Sequence, residues 1–410
     1  MAVASRIPPE ILEIIFIEFQ RDPNGVSDNQ WLFYIEKDTQ ALASCSLVCR
    51  WWSPVARAQL FRYVILTLDR HSSDKFLAFI QSTPHVASLI RCLLLISNTG
   101  SHAGRGECPA LLVGIVGALP ALSRVGFYDF RLLGWPRGVP MPLRSTYLAH
   151  LTLRRLSYEP ASDPYRVPFD ILSLFDVGRL VSFNNRLYNP GRDEHIPDMF
   201  VRPGSKLPTV RELVLDDCDC FVKCNLERGG LDVERIRLLS LTWSAFGEPR
   251  YAQSLISRYG TYATDVHLNL CMMAGDERSY GASFWEPFSL ARCARVERLR
   301  LSWTHSFLVR TSDEGYSEAY EAVLASTPPT LRELEFSFSP ALGDSEQLRR
   351  TAPHVAQRIV QAVSRFPDLN RVTLSIMRPL RVDDCTAVMN DLLPRAIVDR
   401  GLVVSKRAAD

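Results

Sequence analysis

Apolar residues cover almost the whole circumference of a short helix predicted near the start of the chain, in the run IPPEILEIIFIEF at Ile7–Phe19. Pro8 and Pro9 mark the start of this helix, and Glu10 follows at a place where the helix dipole favours an anion. A helix this short cannot hide two apolar faces in a domain of about sixty residues. The pattern therefore predicts that one face packs in the module's own core and that the other meets a partner or a following domain.

Two more short helices are predicted in the run ALASCSLVCRWWSPVARAQLFRYVIL at Ala41–Leu66. Its first part has apolar residues at helical spacing, and Ser53 followed by Pro54 is typical of a helix start. Alternating residues from Tyr63 to Leu68 then predict a strand. Three helices and this strand form a compact N-terminal module in the prediction.

The order of these residues resembles the F-box, and more closely its fungal F-box-like variety. The segments IPPEIL, LVCRWW and ARAQLFRYV match the family's Leu-Pro-x-Glu-Ile-Leu start, its Leu-Val-Cys-Arg-x-Trp segment and its alanine-rich helix ending Leu-Phe-Arg-x-Val. The resemblance covers roughly residues 5–67. The connection Arg21–Asp38 departs from the family because it is longer and more aromatic, with WLFYI at 31–35. It is interpreted either as an extra helical turn on the module or as an extension of its binding surface.

The resemblance implies that this module docks onto the Skp-family adaptor of an SCF-type cullin–RING ubiquitin ligase. Some of the implied contact residues must belong to the module core instead, and the sequence alone does not divide the two groups. The predicted adaptor-binding residues are Ile7, Pro8, Leu12, Ile15, Phe16, Leu42, Cys45, Val48, Cys49 and Trp52.

Past residue 70 the chain repeats a pattern of an apolar residue, two others, an apolar residue, one other and a third apolar residue. The middle apolar residues of the copies are Leu93, Val125, Leu151, Leu180, Leu213, Leu239, Val266, Leu299, Leu334 and Val372. A short strand recurring with helix-sized spacers is the signature of a leucine-rich-repeat solenoid. The alternative, an open α/β sheet with parallel strands, predicts fewer and longer strands that are apolar throughout.

The segments between these strands have helical spacing. Helices are predicted at Ser73–Ser82, Ala110–Ala118, Phe169–Val177, Tyr251–Tyr259, Trp285–Cys293, Ser317–Ser326, Glu346–Phe366 and Asp383–Arg400. The last ones are expected to cover the final apolar strand. The asparagine of regular repeats is mostly missing and the spacing varies. The predicted fold class is therefore α/β, with a three-helix F-box module at 1–67 and an irregular leucine-rich-repeat solenoid with a parallel sheet at 68–410.

Residues that alternate with the apolar ones in each strand should face away from the core. In VERLRLSW and LRELEFSF this alternation places Leu299, Leu301 and Leu334 inside and the charged residues outside. The outward charges change sign from repeat to repeat, which suits recognition of a protein better than a uniformly charged ligand. The predicted target-binding residues are Arg211, Arg298, Arg300, Glu333 and Glu335.

Composition bounds the function. A net charge of +2 in 410 residues gives no bulk electrostatic case for binding nucleic acid or an anionic surface. No apolar run approaches the length that crosses a bilayer, so no membrane span is expected. The N-terminus also lacks the pattern of a signal peptide. The ten cysteines are therefore expected to be reduced thiols in the cytoplasm or the nucleus.

Motifs for chemistry are weak. The run DDCDCFVKC at Asp216–Cys224 has no second ligand pair for zinc, and GSHAGRGEC at Gly100–Cys108 lacks the Gly-Lys-Ser/Thr ending of a phosphate loop. His267 is predicted on the surface of a strand rather than as a catalytic base. We therefore expect no enzyme activity, no metal site and no cofactor.

Two functions fit the sequence best, and a third, a repeat receptor with a small-molecule pocket between its loops, has no convergent polar cluster to support it. The resemblance implies a substrate-recognition subunit of an SCF-type ligase, in which the F-box meets the adaptor and the repeats bind a target protein. Such a chain would supply proximity and orientation rather than bond chemistry. The alternative is a leucine-rich-repeat scaffold outside any ligase, whose N-terminal helices only cap the repeats, because terminal repeats need covering.

Overall fold

The structure is a computed structural model, and it describes residues 7–18, 39–68, 72–97, 109–129, 131–132, 146–154, 157–158, 172, 174–183, 209–216, 231–244, 249–272, 288–305, 313–339, 353, 356–357, 359–376, 382–395 and 402–406. The chain divides into two compact units, Met1–Leu174 with Ala409–Asp410, and Phe175–Ala408. Each unit contains parallel strands with helices between them, which is an α/β architecture consistent with a repeat solenoid. The division does not fall at residue 67, where the sequence pattern changes.

The first unit begins with three helices packed around a small core. They are Pro9–Glu18 (α1), residues 39–46 (α2) and Trp52–Leu60 (α3). The core consists of Leu12, Phe16, Leu42 and Ala56, all buried. Helix α3 begins at Trp52, two residues before Pro54, which the Ser53-Pro54 pattern predicts as the first helical residue, and no side chain caps its first turn. Pro54 is tolerated there because first-turn amides have no intrahelical acceptor.

Four parallel strands follow in the first unit, joined in chain order: Tyr63–Leu68 (β1), Cys92–Ser97 (β2), Arg124–Tyr128 (β3) and Thr146–Arg154 (β5). The helices between them are Ser72–Ser82 (α4), Pro84–Ala87 (α5) and Pro109–Gly117 (α6), and two short strands, Arg131–Leu132 (β4) and Ser157–Tyr158 (β6), pair separately. Strand β1 pairs with β2, so that Val64 lies in register with Leu93, Val125 and Leu151. The strand that ends the predicted module is thus also the first strand of this sheet.

Both faces of this sheet are apolar in the first unit. On the face opposite Leu93 and Val125, Leu94 and Tyr128 form a second buried cluster. Gly126 lies between them, where a Cβ would come within 2.7 Å of Leu94 Cδ1 and 2.8 Å of Tyr128 Cε2. Burial raises the pKa of the Tyr128 hydroxyl above its ordinary value. Only glycine lets these two large side chains close over the strand.

Eight parallel strands form the ladder of the second unit, each paired with its neighbour in the chain. They are Phe175–Phe183 (β7), Val210–Asp216 (β8), Leu238–Ser244 (β9), Asp265–Met272 (β10), Arg298–His305 (β11), Glu333–Ser339 (β12), Arg371–Ile376 (β13) and Leu402–Lys406 (β14). The middle residues of the predicted repeats, from Leu180 to Val372, are buried and lie in one row across these strands. The predicted strand positions and their register are therefore confirmed.

The helices of this unit agree less completely with the predictions. Helices occur at Pro249–Tyr259 (α7), Asp313–Ser326 (α8) and Val382–Leu392 (α10), and the described residues 353, 356–357 and 359–365 are also helical (α9). The helix predicted at Phe169–Val177 extends too far, because Leu172 is helical but β7 begins at Phe175. The helix predicted at Asp383–Arg400 ends at Leu392 and does not end the array, because β14 follows it, contacts it and pairs with β13.

The helix predicted at Trp285–Cys293 is also wrong over its described part, since residues 288–293 are not helical and contain a turn at 291–292. Phe288, Leu290 and Cys293 are buried in this non-helical segment. Neighbouring repeats supply the missing hydrogen bonds. The Gln253 amide bonds both the N–H and the C=O of Ser289, at 2.6 and 3.0 Å, and the Leu290 N–H donates to Ser326 Oγ at 3.0 Å.

Each strand from β9 to β12 is also joined to the next by a shared carbonyl, contributed by the residue just before the strand. The carbonyl of Arg237 accepts from the amides of Thr264 and Asp265. The carbonyls of Thr264, Glu297 and Arg332 each accept in the same way from two consecutive amides of the following repeat. We call these the strand-start carbonyls. They satisfy backbone donors by backbone alone, so the side chains at these positions remain free to vary.

The Cys293 side chain fills the space that Gly260 leaves open after α7. A Cβ at Gly260 would collide with Cys293 Sγ, and burial raises the pKa of this thiol to about 12. We expect Gly260→Ala to lower the free energy of unfolding by about 1–3 kcal/mol through overpacking. Adding Cys293→Ala should recover part of that loss, as measured by urea unfolding of the single and double variants. Additive losses in the double variant would contradict the contact.

Candidate functional site

The structure divides the predicted adaptor-binding residues into two groups. Leu12, Phe16 and Leu42 form the module core with Ala56, and each is at most 3% exposed. Ile7, Cys45 and Trp52 pack against that core and are half-buried. All six of these residues therefore belong to the core of the module or pack against it. The exposed members are Pro8, Ile15 and Val48, and Cys49 is intermediate.

Helix α1 carries an exposed apolar strip that the predicted residues only partly include. Ile11, Ile14 and Ile15 are 46%, 59% and 42% exposed. They follow the i, i+3, i+4 spacing that places side chains on one side of a helix. Leu12 and Phe16 occupy the adjoining side and are buried. The surplus apolar face expected from the sequence is therefore present, and Ile11 and Ile14 belong to it. We call these three isoleucines the α1 strip.

A second exposed apolar group lies where α2 connects to α3. Leu47, Val48 and Trp51 are exposed there, and the Arg50 guanidinium lies 5.3 Å from the centre of the Trp51 ring. Tight backbone hydrogen bonds, such as Leu47 N–H to the Ser44 carbonyl, hold the turn. Exposed tryptophan is a preferred anchor at protein interfaces. The sequence signal that identified Trp52 did not separate it from its exposed neighbour Trp51.

The outward face of β10 to β13 carries paired charges. Arg298 Nε lies 2.9 Å from Glu333, and Arg298 Nη1 lies 3.5 Å from Asp265. Arg300 Nε donates to Glu335 at 2.7 Å, and Ser375 Oγ donates to the other oxygen of that carboxylate at 2.7 Å. The prediction that these arginines and glutamates face away from buried Leu299, Leu301 and Leu334 is confirmed. Sequence reasoning missed the partners Asp265 and Ser375, which only the cross-strand register brings close.

Arg211 does not belong to this row. It is exposed one position before Glu212, and its carbonyl accepts from the Arg237 amide. The outward residue of β8 is Glu212, which lies 3.7 Å from Arg179 on the neighbouring strand. Arg211 is therefore exposed as predicted, but the register places Glu212, and not Arg211, in the row of Leu238, Asp265 and Arg298.

Asp265 and His267, both on β10, also belong to this outward face. Burial raises the pKa of the Asp265 carboxyl, Arg298 opposes that shift, and the nearby charges of Glu333 and Glu297 add to it. His267 lies between Ser240 and Arg300 in the register and is flanked by buried Val266 and Leu268, as its predicted surface position requires. Together the outward residues form a face of compensated charges.

The Arg300–Glu335 pair should contribute more to stability than the Arg298–Glu333 pair. The side chains of the first pair are 25% and 15% exposed, against 50% and 34% for the second. A double-mutant cycle with alanine at Arg300 and Glu335 should give a coupling energy of about 1 kcal/mol, whereas the more exposed pair should give about 0.2–0.5 kcal/mol. Equal coupling energies from urea unfolding would show that burial does not strengthen the pair.

Other chemistry is limited in the described part of the chain. No group of three or more His, Cys, Asp or Glu side chains there could hold a metal ion. The described cysteines Cys45, Cys49, Cys92 and Cys293 are free thiols. The runs Gly100–Cys108 and 217–224 and the connection Arg21–Asp38 lie outside the described residues. Among the helices that the structure describes, none is long and apolar enough to cross a bilayer.

Comparison with known proteins adds no assignment. No protein-family model matches the chain, and no curated protein is significantly similar to it. The F-box-like motifs, the α1 strip and the outward face of β10 to β13 are the features of the chain that bear on its function.

Proposed function

We propose that this chain is a substrate-recognition subunit of an SCF-type ubiquitin ligase, with its N-terminal helices docking onto a Skp-family adaptor. The observation that carries the proposal is the α1 strip. Three large apolar side chains stand exposed on one ten-residue helix, although the same helix already fills the module core with Leu12 and Phe16. Exposed apolar surface of this kind marks protein contact sites. The motifs that resemble the F-box occur in these same helices.

The outward face of β10 to β13 is the proposed target-binding surface. Its arginines are already paired with carboxylates, as in the Arg300–Glu335 contact at 2.7 Å. A face of compensated charge has little long-range attraction for either sign of ligand, but it discriminates strongly by position. This face therefore suits a folded or extended protein segment whose polar groups are spaced to meet the charged residues of β10 to β13. The chain itself would contribute orientation of the target rather than chemistry.

The test is adaptor binding by the full chain. Ile11→Asp/Ile14→Asp should weaken binding of a recombinant Skp-family adaptor by about a hundredfold or more, because carboxylates would be desolvated in a dry contact. Phe79→Asp is the matched control, since Phe79 is an exposed apolar residue on α4. Isothermal titration measures affinity, and circular dichroism checks that each variant keeps its helices. Equal affinity of the Ile11/Ile14 variant and the control would place the α1 strip outside the interface.

The alternative is a scaffold outside any ligase, whose first helices only cap the repeats. One observation favours it: α3 contacts β1, the first strand of the sheet in that unit. Helices that only cap the repeats, however, would not need an exposed apolar surface such as the α1 strip. Absence of any binding between the wild-type chain and the adaptor at micromolar concentration would favour the scaffold.

A further inference from the structure

Charge is unevenly distributed along the chain. Residues 39–158, from α2 to β6, hold thirteen lysines and arginines against four aspartates and glutamates, a formal charge of +9. Because the whole chain carries +2, all other residues together carry −7. Asp69 and Asp129 directly follow β1 and β3, Glu107 precedes α6, and Asp74 lies in the first turn of α4. The sequence that leads into the start of β1, β2, β3 or β5 therefore contains no carboxylate side chain.

Basic residues lie at the starts of these four strands. Arg62 immediately precedes β1 and Arg91 immediately precedes β2. Arg124 is the first residue of β3 and lies in register with His150 of β5. The Arg91 N–H donates to the Arg62 carbonyl at 3.0 Å, and the Ser123 N–H donates to the Arg91 carbonyl at 2.9 Å. Neighbouring strands are about 4.8 Å apart, so these residues occupy successive steps along one edge of the sheet. We call Arg62, Arg91, Arg124 and His150 the basic edge.

The packing of the first unit does not account for Arg62 and Arg91. The Arg91 side chain is exposed and forms no hydrogen bond or ion pair with the described residues. The Arg62 guanidinium lies 6.0 Å from the centre of the Tyr63 ring and likewise has no ion pair there. In the second unit, by contrast, Arg365 donates to the Ala325 carbonyl in the last turn of α8. Like charges at matching positions of adjacent strands are destabilising, so stability gives no reason for this pair.

We propose that the basic edge binds a short acidic segment of a partner protein, with Arg62 and Arg91 pairing with aspartate or glutamate side chains. A guanidinium donates two parallel hydrogen bonds to a carboxylate. Successive positions of a strand face opposite sides of the sheet, so Arg124 and His150 flank the edge on the side opposite to Arg62 and Arg91. A segment lying along the edge therefore meets both pairs. Four strands span about 14 Å, the length of about five residues of extended chain.

A nucleic acid fits this edge less well. Four basic residues meet only a few phosphates, whereas strongly salt-dependent binding to DNA uses about six to ten phosphate contacts. The charge of −7 on the other residues would also repel a long polyanion. A short acidic segment contacts the basic edge alone. This binding is independent of the proposed adaptor docking, which uses the α1 strip.

Fluorescence polarisation of a labelled peptide of alternating glutamate and glycine, titrated with the full chain at low ionic strength, tests the proposal. The wild-type chain should bind this peptide and should not bind the same peptide with glutamine in place of glutamate. Arg62→Gln/Arg91→Gln should weaken binding about fivefold or more, and the difference should shrink at high salt. Arg91→Glu, a single change at an exposed side chain, should weaken it at least as much.

The matched control is Arg292→Gln/Arg332→Gln. It removes two exposed arginines that precede β11 and β12, beside Glu297, and should change the affinity by less than about twofold. Circular dichroism checks that each variant keeps its secondary structure.

Three results would overturn the proposal. The first is a folded wild-type chain that does not bind the glutamate peptide. The second is equal weakening by the Arg62/Arg91 variant and by the control, since the whole chain rather than the basic edge would then attract the peptide. The third is tighter binding of single-stranded DNA of the same net charge, lost in Arg91→Glu, which would make the partner a nucleic acid. None of them bears on adaptor docking, which Ile11→Asp/Ile14→Asp tests separately.

Discussion

Phe16→Ala should lower the local stability of the N-terminal helices by about 3–5 kcal/mol, the range expected when a fully buried phenylalanine is truncated. Phe16 is 1% exposed, and its ring meets Trp52 edge to face, with centroids 5.8 Å apart. The small core around it, with Leu12, Leu42 and Ala56, has few other side chains to close a cavity. The effect should therefore lie toward the upper end of the range.

The matched control is Ile15→Ala, one residue away on the same helix and 42% exposed. It should change stability by no more than about 0.5 kcal/mol. Hydrogen exchange of the peptide that contains α1, measured by mass spectrometry on the full chain, reports this local stability without requiring the whole chain to unfold. Equal loss of protection in both variants would mean that α1 does not divide into a core face and a contact face. The same comparison explains why aspartate at Leu12 or Phe16 is a poor test of docking: it would disrupt the core first.

Leu301→Ala should cost about 2–5 kcal/mol of unfolding free energy in the second unit. Leu301 is fully buried, and the register places it between Leu268 and Phe336 on the adjacent strands. Removing its side chain would leave a cavity between Leu268 and Phe336, and the hydrogen bonds between the strands would keep the backbone from closing that cavity. Arg298→Ala, on the other face of the same strand, is the control and should cost within about 0.5 kcal/mol of zero. Urea unfolding followed by circular dichroism measures both, and a larger loss for Arg298→Ala would refute the register.

The strands could be predicted because their apolar spacing follows directly from which side chains the sheet buries. Leu213, Leu239 and Leu299 were placed correctly for this reason. Strand β14 was missed because Leu402 and Val404 lack the leading apolar residue of the repeat pattern. The pattern describes complete repeats, and a partial repeat leaves only a short apolar run that resembles the end of a helix.

The helix predictions failed where the same residues could be buried in another conformation. In the run from Trp285 to Cys293 the apolar spacing fits a helix, and Pro287 in its first predicted turn does not exclude one, because the first amides of a helix have no intrahelical acceptor. Gln253 and Ser326, from helices on either side in the sequence, supply hydrogen bonds to the turns that form instead. Such long-range partners leave no trace in the local pattern.

The candidate site was only half predictable for a related reason. Composition showed that α1 has more apolar surface than its module can bury, but not which residues are surplus. Leu12 and Ile11 are adjacent and equally apolar, and only the packing of α2 and α3 decides that one is buried and the other exposed. The charged face was predicted from alternation, whereas its pairing of Arg298 with Asp265 depends on strand register.

The strand-start carbonyls have a consequence for how such a chain can diverge. At Arg237, Thr264, Glu297 and Arg332 the main bonds to the next repeat run from backbone to backbone, and the side chains of Arg237 and Thr264 add only long bonds of 3.4 Å. Those positions already hold three different residue types in one protein. Substitution there can remodel the rim of the repeats without a folding penalty, with proline at the donating positions as the exception, since it has no amide hydrogen to give. Related proteins with this arrangement can therefore change the exposed residues at the strand starts one at a time while the buried core residues stay the same.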